Sequence, residues 1–212
     1  PLYRAKGQFK AVTIEIGAKL APGGRVKMKD GEFLKLMTPM GDDIQLSGKT
    51  YMKLEALSGS ASGKSVCKLE LFQGIAKNKV HKLQGDSVYT VRTPTAVAGV
   101  RGTEFQCEVA EDGETEVLVI EGEVEVESSS GEGEGVSVEA GKKAKVKASG
   151  SVAVVEVKNI EKKANSSAEK ASKSEGKASS ESKESGDKSG ESDKGGDGES
   201  EENGKESRVE IT

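Results

Sequence analysis

Polar and apolar residues alternate with a period of two through most of residues 11–157, and glycine punctuates the runs. That period is the signature of strands with one dry and one wet face. Val12, Ile14 and Ile16 share a face in residues 11–16. Residues 25–29 repeat the pattern and end at Asp30-Gly31, a turn dipeptide. Further runs follow at 33–37, 43–47, 51–54, 66–71 and 87–91, with a Gly/Ser loop at 58–65. In residues 103–109, Phe105, Cys107 and Val109 alternate with Glu104, Gln106 and Glu108. Asp112-Gly113 turns the chain into 115–120, and Gly122 precedes Glu123-Val124-Glu125-Val126-Glu127. Runs at 136–138, 144–147 and 152–157 complete the set.

About a dozen short strands at 8–12 residue spacing, without an amphipathic helix between them, predict an all-β fold. We expect a two-sheet β-sandwich of jelly-roll type. An irregular β-solenoid is the alternative, disfavoured because no fixed-length repeat is present. The expected organisation is a lead-in at 1–10, a β-domain at 11–158, a linker at 159–207 and, at 208–212, the start of a further strand or domain.

Composition separates these parts. Residues 159–207 contain only Ile160 and four alanines as apolar residues, a Ser/Lys/Glu/Gly mixture that predicts disorder. The net charge of −4 divides the same way, because the linker has 9 lysines and 13 acids while residues 1–158 balance 22 bases against 22 acids. A neutral domain lacks the basic excess that engages phosphates, so nucleic acid is not an expected partner. No run approaches 18 apolar residues, so no membrane span is expected. The chain begins at Pro1 without Met or an apolar leader; the expectation is a removed signal peptide or a fragment.

Residues 91–105 read Val-Arg-Thr-Pro-Thr-Ala-Val-Ala-Gly-Val-Arg-Gly-Thr-Glu-Phe. This stretch resembles the signature of the FecR domain, a proline, then Gly-Val-Arg-Gly-Thr and an aromatic residue, here Pro94, Gly99, Val100, Arg101, Gly102, Thr103 and Phe105. The family's following Asp-Gly turn, Gly-led strand and closing glycine match Asp112-Gly113, Gly122 and Gly141, and the likeness spans about residues 11–148. We expect these signature residues to be structural, with Phe105 as a core anchor. The resemblance implies a non-enzymatic, exported bacterial protein, periplasmic or extracellular, that binds or senses a protein in the cell envelope. Two alternatives go with it: a structural subunit of a surface assembly or adhesin, and the periplasmic part of a transmembrane anti-sigma regulator. An envelope or surface protein is the expected partner, and self-association is open.

No catalytic, metal or cofactor site is expected, because one histidine and two cysteines at core parity supply no nucleophile–base pair or ligand set. His81 is expected as an exposed strand-end residue. The segment Gly59-Ser60-Ala61-Ser62-Gly63-Lys64-Ser65 lacks one residue of phosphate-loop spacing. Between Arg101 and Lys142 there are 13 acids and no base. Within that stretch Glu121, Glu123, Glu125 and Glu127 form a candidate interaction face. Residues 64–101 carry seven bases against two acids, and with the lysines of 142–147 could complement it. Cys67 and Cys107 both fall at apolar parity, so a disulfide and two buried thiols are both open.

Overall fold

The computed structural model describes residues 1–8, 10–59, 64–131 and 134–157, and the backbone of a last strand at 209–211. The expected linker at 159–207 and part of the 58–65 loop lie outside the described residues. In chain order the strands are β1 (Leu2–Arg4), β2 (Val12–Thr13), β3 (Lys19–Leu20), β4 (Arg25–Lys27), β5 (Phe33–Met37), β6 (Asp43–Gly59), β7 (Ser65–Lys79) and β8 (Val88–Arg92). They continue as β9 (Ala96–Val100), β10 (Glu104–Val109), β11 (Thr115–Glu121), β12 (Glu123–Ser128), β13 (Val136–Glu139), β14 (Lys142–Val146), β15 (Val152–Glu156) and β16 (Val209–Ile211).

All sixteen strands belong to one hydrogen-bonded network, and the long β6–β7 hairpin runs through its middle. Residues 51–59 of β6 and 65–73 of β7 lie in a first half, ordered β2-β1-β4-β6-β7-β8-β9-β12-β13. Residues 43–47 and 74–79 lie in a second, ordered β3-β16-β5-β6-β7-β10-β11-β14-β15. Every described pairing is antiparallel except β7 with β8.

The exception shows how the halves are disposed. The chain leaves β7 at Lys79 and re-enters as β8 beside Val66, near the strand's own start. A straight strand from Val66 to Lys79 would be about 44 Å long, yet the connecting residues reach only about 30 Å. The hairpin must therefore fold back on itself, and its register shifts between Ser47 and Tyr51 mark the bend. Gly74, at φ 97°, sits in it against Thr50.

Both halves bury their inner faces in a single cluster. Met52, Leu69, Leu71, Tyr89, Val91, Ala98 and Val124 enter it from the first half; Leu36, Ile44, Leu46, Phe105, Cys107, Val117 and Val146 enter from the second. The buried Tyr89 hydroxyl donates to Asn78 Oδ1 across the layers at 2.9 Å. The described fold is thus all-β, a two-layered packing of one continuous sheet; jelly-roll connectivity stays an expectation.

Two expectations are corrected in detail. Runs 43–47 and 51–54 are one strand, because Gly48-Lys49-Thr50 is a bulge rather than a loop. Residues 11–16 supply the core with Ile14 alone, partly buried against its edge: only Val12–Thr13 pair, and Val12 is 54% and Ile16 90% exposed. Within the expected strand at 208–212, residues 209–211 form β16, which pairs with β3 and β5.

Candidate functional site

The two outer faces carry charge differently. On the second half, cross-strand neighbours are paired. Glu116 of β11 lies against Lys143 and Lys145 of β14, and Glu104 of β10 against Lys77 and Lys79 of β7. Lys35 of β5 meets Asp43 of β6 at 3.5 Å. Partial burial pushes the Glu116 carboxyl up, but hydrogen bonds from Lys143 and Lys145 outweigh it and hold the group below its ordinary value. Several of the lysines expected to form a basic patch, Lys77, Lys79, Lys143 and Lys145, are therefore taken up by neighbouring strands.

On the first half Lys53 of β6 pairs with Glu70 of β7 in the middle, but the charges toward the two ends are segregated. Val124 and Val126 are fully buried, which turns Glu123, Glu125 and Glu127 of β12 outward. None of the three forms an ion pair among the described residues; Glu123 accepts a hydrogen bond from the Ser137 hydroxyl of β13. Beside them is a cleft of about 520 Å³ lined by Thr90, Gly99, Arg101, Glu123, Glu125 and Ser137. Gly99 lies opposite both Thr90 and Glu125 in register, and a Cβ there would meet open space. The missing side chain leaves bare backbone as the cleft floor. Glu121 does not belong to this row: it ends β11, and Gly122 at φ 84° carries the chain from one half into the other.

At the opposite end of the same face, Val26 is buried and sends Arg25 and Lys27 outward beside Arg4. Between the ends, Tyr51 and Phe72 stack with centroids 4.8 Å apart. The face therefore runs from cations unpaired among the described residues, past an aromatic pair and the Lys53–Glu70 ion pair, to the carboxylates of β12 beside Arg101.

Residues in and around the signature stretch bond to the strands beside this face. The Thr93 hydroxyl accepts from the amides of Thr95 and Ala96, closing the turn around Pro94. Thr95 donates its hydroxyl toward Gly113 O, Thr115 Oγ1 and Val146 O, tying that turn to β11 and β14. Gly102 is at φ 120°, and a Cβ there would lie 2.7 Å from Lys82 Cα. Thr103 donates to Glu123 O, fixing the start of β12. Val100 and Phe105 are buried, Gly141 donates its amide to Val119 O, and Arg101 is exposed at the cleft.

Cys67 and Cys107 are free thiols, so the disulfide held open above is absent. Their register explains it: Cys67 faces Leu57 and Tyr89 in the first half, and Cys107 faces Ala76 and Val117 in the second. Burial pushes both thiols up, each to about 12. A thiol so raised stays protonated and un-nucleophilic at neutral pH. Neither is expected to react with a thiol reagent at pH 8 in the native protein, and both in denaturant; rapid native labelling would contradict this. The unfolded thiols lose protons from pH 9 upward while the folded ones retain them. Stability is therefore expected to fall as pH rises from 9 toward 12. His81 is 65% exposed, its amide donating to Asp42 Oδ1 at 3.0 Å. No group of three metal-ligating residues occurs among the described residues, and no helix there is long and apolar enough to cross a membrane.

The fold and this face define a β-domain whose chemistry is at its surface. Residues 24–125 match the family model described as FecR protein, a shorter stretch than the 11–148 expected. Two crystal structures described as a "putative anti-sigma factor from Parabacteroides distasonis ATCC 8503" share the fold. Their TM-scores are 0.52 and 0.51, at 22% and 21% identity. Each match covers 62% of this chain and 59% of the other, so the chain spans about 59% of the length of those proteins. No curated protein matches it.

Proposed function

We propose that this chain is the protein-binding domain of a bacterial envelope signalling regulator, acting outside the cytoplasm and without enzymatic chemistry. The observation that carries the reading is the contrast between the faces. Ions across the second half are paired, whereas the first half keeps Glu123, Glu125 and Glu127 at one end and Arg4, Arg25 and Lys27 at the other without ion partners among the described residues. Segregated charge steers a partner and fixes its orientation, giving specificity more than raw affinity. The match to the FecR model and the fold shared with a protein titled as an anti-sigma factor support a regulatory role over a structural one.

The test is genetic. Deleting the gene is expected to change a discrete set of transcripts, restored by the wild-type gene but not by Glu123→Lys/Glu125→Lys/Glu127→Lys. A Lys143→Gln variant, altering the paired face, is expected to restore it. A transcriptome indifferent to the deletion would count against the regulatory reading.

A further inference from the structure

The cationic end of the first face contains a groove of about 560 Å³ lined by Arg4, Arg25, Lys27, Lys49, Tyr51 and Gln73, among others, with no carboxylate in its wall. Register places Arg4 directly opposite Arg25, and Arg25 directly opposite Lys53. Like charges directly opposite one another destabilise a strand pair. Lys53 is relieved by Glu70 at 3.0 Å, and Lys49 by Glu111 at 2.6 Å. Arg4, Arg25 and Lys27 have no such partner among the described residues. Arg25 Nε is, in addition, buried without a hydrogen-bond acceptor. A buried donor left unpaired is costly enough to call for an explanation. An oxyanion accepting from Arg25 between Arg4 and Lys27 would remove both penalties.

The shape of the site selects the kind of anion. Its cations stand on adjacent strands, side chains about 5 Å apart, in a row rather than converging on one point as around a lone phosphate. The rim carries apolar groups as well, Leu2, which is 42% exposed, and Ala11. A ligand with several carboxylates along an extended backbone and apolar side chains between them matches both features. We propose that this groove binds an acidic, extended peptide segment of a partner protein, its carboxylates on Arg4, Arg25 and Lys27 and its apolar side chains on Leu2 and Ala11. The inference rests on reading this face as a protein-binding surface and adds the chemistry of the partner.

The experiment uses the full chain and a fluorescein-labelled peptide of alternating Glu and Val, read by anisotropy. Binding is expected to saturate and to weaken with added salt. Arg25→Glu/Lys27→Glu is expected to weaken it about tenfold or more, with Lys143→Gln, on the paired face, not weakening it and an alternating Lys/Val peptide not binding. Lys27→Glu alone, a rim change, carries the test if the double variant unfolds in a thermal melt. Equal affinity in the variants would overturn the proposal. So would displacement of the peptide by an equal concentration of inorganic phosphate, which would mark a simple oxyanion site. A peptide that fails to bind while gene deletion still changes transcripts overturns the groove's assignment alone; unchanged transcripts overturn the reading beneath it.

Discussion

Replacing Phe105 with Ala is expected to lower the unfolding free energy by about 3–5 kcal/mol, the usual cost of emptying a buried aromatic site. Among the described residues Phe105 and Tyr89 are the two aromatics that are wholly buried, in a chain with no tryptophan. Phe105 stands on β10 between Asn78 of β7 and Val119 of β11, where three strands of the second half meet the core. The strands on either side are fixed by backbone pairing, so the site cannot collapse and a cavity remains. Phe105→Leu keeps part of the volume and is expected to lose less. Urea denaturation measures both; an Ala variant with an unchanged midpoint and slope would show that the core does not depend on this ring.

Gly74→Ala is the second large effect, and it acts on the backbone. At φ 97° an L side chain is strained, which costs about 1–3 kcal/mol. The added Cβ would also lie 2.2 Å from Thr50 Oγ1 and 2.6 Å from Thr50 Cα. Relieving that contact means moving the backbone of the bend that folds the hairpin over the core, at a further cost of about 1–3 kcal/mol. Gly17→Ala is the control, since Gly17 has φ 83° but nothing within 4 Å of its Cβ. It is expected to show the dihedral strain alone. Equal losses at Gly17 and Gly74 would mean that the close approach at the bend does not matter.

The all-β class was legible because a period of two survives in each strand, from 103–109 to 123–127. The bend was not. Gly48-Lys49-Thr50 interrupts the alternation as a loop would, and only pairing with β7 on both sides reveals one continuous strand. The same distinction governs the site. Glu123, Glu125 and Glu127 were legible because residues two apart on one strand share a face. Adding Glu121 to them failed because Gly122 breaks the strand. The cationic groove was invisible, since Arg4, Arg25 and Lys53 are brought into one row by pairings between distant parts of the sequence. Their wet parity within separate runs is the only sign of it. The basic residues of 64–101 and 142–147 looked more prominent, yet several are paired with Glu116, Glu104 or Glu139.

The central claim is that the charge-segregated outer face of the first half meets the partner. Site-specific photocrosslinking in cells addresses it most directly, with a benzophenone side chain at Val97, on the outward side of β9, or at Ile75, on the outward side of β7 in the second half. An adduct at Val97 that is lost on reversing Glu123, Glu125 and Glu127, with none at Ile75, is the predicted result. An adduct at Ile75 and none at Val97 would contradict it.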